Sequence, residues 1–287
     1  MLTALLKYQF LQNAVLAGLL ASVLCGVIGV IIIEKKLVMM SGGIAHASYG
    51  GVGLGYLLGI EPIFGAIGFA LLSALGVGFV KRRGGASADV LIGLFWSLGM
   101  ALGIFFVALM PGYPPDMSSY LFGNILAVTR ADLYLTAGLT GAVVLVVAVF
   151  FDSWKAYLFD DEFARLIGQP TALLEYLLLA TIAMSVVALI RVVGIILALA
   201  MLTAPAATAS LFTKGLGSRM AASAALGAVF CFAGLTISYY TGISSGATIV
   251  TLSGAVCLSS YGVRALADAH TRKHAAMEHS REEVSEK

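Results

Sequence analysis

The sequence predicts an all-α polytopic membrane protein, from its composition, its mean hydropathy and the spacing of its apolar runs. Of its 287 residues, 60% are hydrophobic and 11% are charged, whereas globular domains carry roughly 25% charged residues. The mean hydropathy is +0.99. Apolar runs of about 20 residues, the length that crosses a bilayer core, recur along the chain. A soluble fold could not bury this much apolar surface.

Hydropathy predicts about nine transmembrane helices, at 11–33, 38–59, 62–80, 89–110, 131–151, 171–190, 192–212, 219–240 and 244–266. Beyond Glu175 near its start, only Arg191 interrupts the apolar run 171–212, which is either a tight hairpin of two spans or a span followed by a broken helix. An eight-span chain would need one re-entrant segment. We expect a transmembrane domain over 1–267 and a polar cytoplasmic tail over 268–287.

The basic residues predict the orientation. If the loop 81–83 is cytoplasmic, alternation of nine spans places every one of the 17 Lys and Arg residues inside except Lys7, Arg130 and Arg191. The N-terminus is then outside and the C-terminus is cytoplasmic. The net charge of +2 is spread in small groups between the spans, so no nucleic-acid partner is indicated.

His46 is the only one of the four histidines within a hydrophobic segment. An ionisable residue at membrane depth indicates a functional site, and imidazole suits zinc, copper, iron or nickel and also accepts manganese. The alternative is a packing histidine bonded to a backbone carbonyl or a serine. Two copies of the chain meeting on a twofold axis would bring two imidazoles together in a weak site, as conduction requires.

Small residues four apart form a neighbouring face of the same helix, at Ala47, Gly51, Gly55 and Gly59. In lipid such a run lets another helix approach closely. We therefore expect Gly51, Gly55 and Gly59 to serve helix packing.

The segment 152–170 is the longest internal cytoplasmic stretch. Asp160 or Asp161 can cap a short helix in it, on which Ala164 and Gly168 lie four apart. A helix of about two turns is unstable alone in water. Its small face, with a charged rim, suits docking into a groove of another protein.

Other polar features carry weaker predictions. Asp89 reads as an N-cap, and a short interfacial helix is expected over 117–127. Asp116 and Glu61, at outer span ends, could attract cations or touch a delivery protein. The tail histidines 270, 274 and 279 fit a solvated helix or a disordered end better than a metal site.

No phosphate loop of the GxxxxGK[ST] type, no Ser-His-Asp arrangement and no HExxH motif occurs. The chain is therefore not expected to be an enzyme or to hold a tightly bound cofactor. Any energy from ATP must arrive through a partner.

Five stretches together resemble the permease subunits of ABC importers for zinc, manganese or iron, the ABC-3 type family. They are GGIAHASYGGVGLGYLLG (42–59), DVLIGLFWSLGMALG (89–103), SYLFGNILAVTRADL (119–133), DDEFARLIG (160–168) and VVGIILALAMLTAPAATA (192–209). Each is loose alone, but their order is specific.

The resemblance implies a type II importer-like permease in the cell (inner) membrane of a prokaryote. It implies a homodimer, two ATP-hydrolysing subunits on the cytoplasmic side and an extracytoplasmic solute-binding protein. It makes 158–169 the coupling helix seated in the ATPase groove, through Asp160, Asp161, Glu162, Ala164, Arg165 and Gly168.

The resemblance also places His46 on the path of the transported metal. Many members carry an aspartate four residues earlier, where this chain has Gly42, so the site rests on His46 of each subunit or uses other groups. The segments IAHAS and LFGNILAVT favour zinc as the substrate, with manganese or iron as alternatives. A metal-chelate permease and an ion-coupled secondary carrier are the rival functions.

Overall fold

The structure, a computed structural model, describes residues 7–83, 87–112, 117, 120–121 and 123–285, without the side chains of 88, 268 and 270–285. All regular elements in these ranges are helical, which confirms the predicted fold class. In chain order they are α1 (Gln9–Glu34), α2 (Val38–Leu58), α3 (Pro62–Arg82), α4 (Ala88–Ala108), the 3-10 turn η1 (Ile125–Ala127), α5 (Arg130–Val149), α6 (Phe151–Phe159), α7 (Asp161–Leu166), α8 (Thr171–Phe212), α9 (Leu216–Thr241) and α10 (Ser245–Ser285).

Seven of the described helices are long and apolar enough to cross a membrane. Helix α2 is not among them, because its glycines, its serines and His46 lower its mean hydropathy. Helix α8 counts once among the seven although it has 42 residues.

Ion pairs and polar contacts define two ends of the helical bundle. At one end, which we call the basic end, Glu175 contacts Lys81 and Arg82, and Arg219 pairs with Glu34. At the opposite end, Arg191 contacts Asp132 and Glu61, and Asn13 donates to the Val128 carbonyl. Each pair joins residues that are far apart in sequence, which places the helix ends concerned at the same end of the bundle.

Helix α8 reverses direction at Gly194. A straight helix of 42 residues would be about 63 Å long, twice the thickness of a bilayer core. Yet Glu175 near its start lies at the basic end, and Leu211 near its finish accepts a hydrogen bond from Arg264 there. Gly194 has φ 78° and ψ 168°, a conformation that glycine tolerates. The predicted hairpin of 171–212 is thus present, with its turn at Gly194 and not at Arg191.

With this hairpin, the described chain passes nine times between the two ends. The basic end gathers the α1–α2, α3–α4 and α8–α9 connections together with α6 and α7. The opposite end gathers the α2–α3, α4–α5 and α9–α10 connections and the turn of α8. Helix α1 packs against the second half of α8 and against α9. The residues Gly26 and Gly29 allow this close approach, since a Cβ on either would overlap Ala224 or Leu202.

Two smaller expectations differ from the structure. Helix α4 has Ser87 at its N-cap, two residues before the predicted cap Asp89, which lies within the first turn. Of the interfacial helix expected over 117–127, the described residues Tyr120 and Leu121 are helical and Ile125–Ala127 form η1, while Gly123 adopts a left-handed φ of 68° between them. Residues 118, 119 and 122 lie outside the described residues. Residues 113–116, which include Asp116, lie outside the described residues.

Candidate functional site

Helix α2 is packed closely between α3 and α4 by its glycines. A Cβ on Gly51 would overlap the backbone of Gly65 in α3, and one on Gly55 would lie 2.8 Å from the Cα of Pro62. On the other side, a Cβ on Gly53 would overlap Gly103 of α4. Backbone-to-backbone approach of this kind explains the glycine content of α2 and its low hydropathy.

Gly59 has a different role from the predicted packing. It ends α2 as a C-cap with φ 68°. Its N–H donates to the Tyr56 carbonyl, and the N–H of Ile60 donates to the Gly55 carbonyl. A Cβ at this position would meet nothing within 4 Å. A glycine is needed here because of the left-handed cap conformation and not because a neighbouring helix packs against it.

His46 stacks on Trp96 of α4. The ring centroids are 4.1 Å apart and the ring planes differ by 9°. The Nδ1 atom of His46 is buried and has no hydrogen-bond partner among the described residues. A buried polar nitrogen without a partner is costly, so the imidazole is not held as a purely structural packing residue would be. It remains available to bind a ligand.

Gly42 lies one turn before His46 and leaves room beside the two rings. A Cβ on Gly42 would be 3.6 Å from the Trp96 ring and 3.8 Å from Leu199 of α8, which is ordinary van der Waals contact. The site is therefore built from α2, α4 and the second half of α8. Among the described residues, no group of three or more His, Cys, Asp or Glu side chains comes together as a metal site. A single imidazole per chain fits a weak, transient site.

Sequence reasoning singled out His46 but not Trp96. Trp96 is one of only two tryptophans in the chain and lies within a span away from the interfacial belt where tryptophan is usual. That placement was the available signal for it.

The segment at 158–169 lies at the basic end. Asp160 caps α7, accepting hydrogen bonds from the N–H groups of Glu162 (2.9 Å) and Phe163 (3.1 Å). Asp161 lies 3.8 Å from Lys35, and Gly168 has φ 81° just after the helix. The capped short helix matches the sequence expectation.

The face that α7 exposes differs from the predicted one. Ala164 is fully buried against its own chain, so the small Ala/Gly face is not the docking surface. Large hydrophobic side chains are exposed instead, namely Phe159 (92%), Leu166 (86%), Phe163 (53%) and Ile167 (52%). Asp161, Glu162 and Arg165 are exposed around them. The segment presents an apolar patch with a charged rim, because burying Ala164 turns the larger residues outward.

A charged network at the opposite end holds the α8 hairpin. The Arg191 guanidinium contacts Asp132 at 2.7 Å and Glu61 at 3.2 Å. The hydroxyl oxygens of Tyr120 and Tyr56 are 3.3 Å apart, and burial raises the pKa of Tyr120. Glu61, expected to attract cations, is thus engaged by Arg191.

Asp132 was missed by sequence reasoning. It forms a capping box with Thr129, whose hydroxyl accepts from the Asp132 N–H while the carboxylate accepts from the Thr129 N–H. The pattern of a threonine three residues before an acidic residue at the start of an apolar run was the signal that could have found it.

Nine crossings, a buried imidazole whose Nδ1 has no hydrogen-bond partner among the described residues, and an exposed short helix at the basic end are features of a membrane permease subunit. The chain belongs to the ABC 3 transport family, whose pattern matches residues 7–264. The resemblance stated from the motifs is thereby confirmed.

Individual relatives are similar in sequence to this chain along nearly its whole length. The uncharacterized membrane protein slr2045 of Synechocystis is 42% identical over 259 residues, 90% of this chain and 92% of that protein. The manganese transport system membrane protein MntC of Halalkalibacterium halodurans is 35% identical over 87% of this chain and 85% of its own. The fold is similar to PsaBC of Streptococcus pneumoniae, solved in complex with a Fab, with a TM-score of 0.82 and 34% identity over 91% of this chain and 94% of that one.

Proposed function

We propose that this chain is the membrane-spanning subunit of an ATP-driven importer of a divalent metal ion, with manganese as the first candidate substrate. The observation that carries the proposal is the stacked His46, whose Nδ1 has no partner among the described residues. Membership of the ABC 3 transport family supports it. The name of the MntC relative supports manganese.

Zinc is the second candidate. Imidazole nitrogen is a good ligand for zinc, whereas manganese sites favour carboxylate and water. Gly42 supplies no side chain beside His46, and the described residues contain no cluster of metal ligands. The chemistry of the described site therefore favours zinc, while the named relative favours manganese.

The transport cycle that we propose is alternating access. Metal delivered by an extracytoplasmic binding protein enters between two copies of the chain and passes His46. Two ATP-hydrolysing subunits dock at the basic end, which is cytoplasmic, and act through 158–169. The exposed apolar patch on α6 and α7 supports this docking, since exposed hydrophobic side chains with a charged rim are typical of protein interfaces. The largely exposed helices α4 and α10 leave apolar area for a second copy or for lipid.

The rival functions find less support. An ion-coupled secondary carrier usually has acidic residues at mid-membrane, but the acidic residues of the described spans, such as Asp132 and Glu175, lie near helix ends. A chelate permease needs a wide cavity beside the path, and α2 is packed tightly by glycines on both sides.

The test is metal uptake by cells that express the complete transporter with His46→Ala. We expect metal-dependent uptake to fall to background with expression and ATPase association unchanged. Ser48→Ala is the matched control, because the buried Ser48 hydroxyl donates to the Ala45 carbonyl of its own helix. Uptake that is unchanged in His46→Ala would remove His46 from the transport path.

A further inference from the structure

A cavity of about 610 Å³ lies at the basic end, separate from His46. It is lined by the α1–α2 connection, by the starts of α2, α4 and α8, by the end of α3, and by α6 and α7. Its deep wall is apolar and includes the buried side chains of Val77, Leu178 and Leu179. Its outer part is charged. The cavity thus joins an apolar interior to a polar mouth at the level where the spans end.

Basic groups outnumber acidic groups around this cavity. Its lining includes five basic residues, Lys35, Lys36, Lys81, Arg82 and Arg165, and three acidic ones, Asp89, Asp161 and Glu175. Glu175 is shared between Lys81 (3.2 Å) and Arg82 (2.8 Å). Lys36 and Arg165 have no ion pair among the described residues. The lining therefore carries uncompensated positive charge, which would repel a metal cation and attract an anion.

Lys35 is the most enclosed of these basic groups. Its side chain is 17% exposed, and its nearest carboxylate, Asp161, is 3.8 Å away. The ammonium lies 3.8 Å from the centre of the Tyr157 ring. Burial lowers the pKa of Lys35, which means that its charge lacks full compensation. Burial also raises the pKa of Tyr157 to about 12, so this phenol stays protonated near neutral pH and leaves the cavity without a further negative charge.

We propose that this cavity binds the phosphate headgroup of an anionic membrane lipid. Lys35 and Lys36 contact the phosphate, and the apolar wall covers the first part of an acyl chain. Basic pockets between transmembrane helices on the cytoplasmic side bind such headgroups. A lipid fits better than a free phosphate, because only a lipid uses the apolar wall as well as the charges.

The site goes beyond the proposed transport function and would connect lipid to it. Asp161 and Arg165 of α7 belong to the same lining, so an occupied cavity holds α7 against the bundle. An effect of bound lipid on coupling to the ATPase would rest on the proposed function. Lipid binding to the cavity does not depend on that function, so lipid binding is the quantity to measure.

The experiment is native mass spectrometry of the full chain in detergent with added phosphatidylglycerol, phosphatidylcholine or inorganic phosphate. We expect phosphatidylglycerol to bind roughly tenfold more tightly than phosphatidylcholine. The double variant Lys35→Gln/Lys36→Gln should lose that preference, and Lys35→Arg/Lys36→Arg should keep it. Lys155→Gln is the matched control, because Lys155 is an exposed lysine of α6 at the same end and does not line the cavity.

Three outcomes would overturn the proposal. The first is equal binding of the two lipids by the wild type, and the second is an undiminished preference in the double glutamine variant. The third is displacement of phosphatidylglycerol by millimolar phosphate, which would assign the cavity to a free anion. Circular dichroism and thermal unfolding without added lipid establish that each variant is folded. Should the glutamine pair fail to fold, the single variant Lys36→Gln, at an exposed position, takes its place with the same expected direction.

Discussion

His46 and Trp96 stack face to face although they belong to different helices, with ring centroids 4.1 Å apart and ring planes within 9°. The tryptophan fixes the plane of the imidazole and covers one side of it. A ligand must therefore approach His46 in the plane of its ring, where the nitrogen lone pair points.

Replacing Trp96 tests this positioning role. Stacking of aromatic rings contributes about 0.5–1.5 kcal/mol, so we expect Trp96→Ala to raise the KM for metal uptake up to about tenfold. Trp96→Phe retains a ring and should stay close to wild type. The measurement is the concentration dependence of uptake in cells. Indistinguishable KM values for the alanine and phenylalanine variants would show that the stack does not position His46.

A carboxylate at position 42 should change metal selectivity. The space beside Gly42 admits a side chain, since its Cβ would lie 3.6 Å from Trp96. Residues four apart share a helix face, so Gly42→Asp places a carboxylate next to His46. Because carboxylate suits manganese, we expect the ratio of manganese to zinc uptake to rise roughly tenfold. Gly42→Ala is the control for added bulk. An equal shift in both variants would assign the effect to size and not to charge.

The close approach of α2 to α3 predicts a loss of stability for Gly51→Ala. The added Cβ would overlap the Gly65 backbone, and overpacking of this kind costs about 1–3 kcal/mol. We expect a lower Tm in detergent. Gly68→Ala in α3 is the matched control, because its Cβ would meet nothing within 4 Å. If the two variants unfold at the same temperature, helix contact at Gly51 is not as close as described.

The network around Arg191 predicts strong coupling with Asp132. The Asp132 side chain is 11% exposed and lies 2.7 Å from the guanidinium. Removing one partner of a buried pair leaves a buried charge and costs on the order of 3 kcal/mol. We expect Arg191→Gln and Asp132→Asn to lower the Tm singly and the double variant to lose less than their sum. Additive losses in this double-mutant cycle would mean that the two side chains act independently.

The exposed patch on α7 predicts the site of partner docking. Leu166 is 86% exposed, so Leu166→Glu should leave the fold intact. A charge in the centre of an apolar interface is strongly unfavourable, and we expect co-purification with the ATP-hydrolysing subunit to fall at least about tenfold. Lys155→Glu, at an exposed position of α6 nearby, is the control for added negative charge. Normal co-purification of Leu166→Glu would place the docking surface elsewhere.

The apolar runs predicted the helices closely, because a bilayer-crossing helix must be apolar over its full length. The hairpin of α8 was harder to place. Arg191 looked like its turn because it is the one charged residue near the middle of the run, whereas the reversal needs the backbone freedom of Gly194. The hydropathy pattern does not record that requirement.

The candidate site was only half predictable. His46 stood out through its chemistry within an apolar segment. Its stacking partner comes from another helix, and the contact between two helices produces no periodic pattern in the sequence. Similarly, Ala164 looked exposed on an isolated helix, while packing against the bundle buries it and turns Leu166 outward. Tertiary contacts decide which face of a short helix is free.

In the proposed mechanism this chain is a gate without its own energy source, driven by ATP hydrolysis in a partner. Uptake of radiolabelled manganese into proteoliposomes tests it most directly, with the chain alone and with its ATP-hydrolysing and solute-binding partners plus ATP. We expect accumulation only in the complete, ATP-supplied system, and none there with His46→Ala. Accumulation against a gradient by the chain alone would contradict the account.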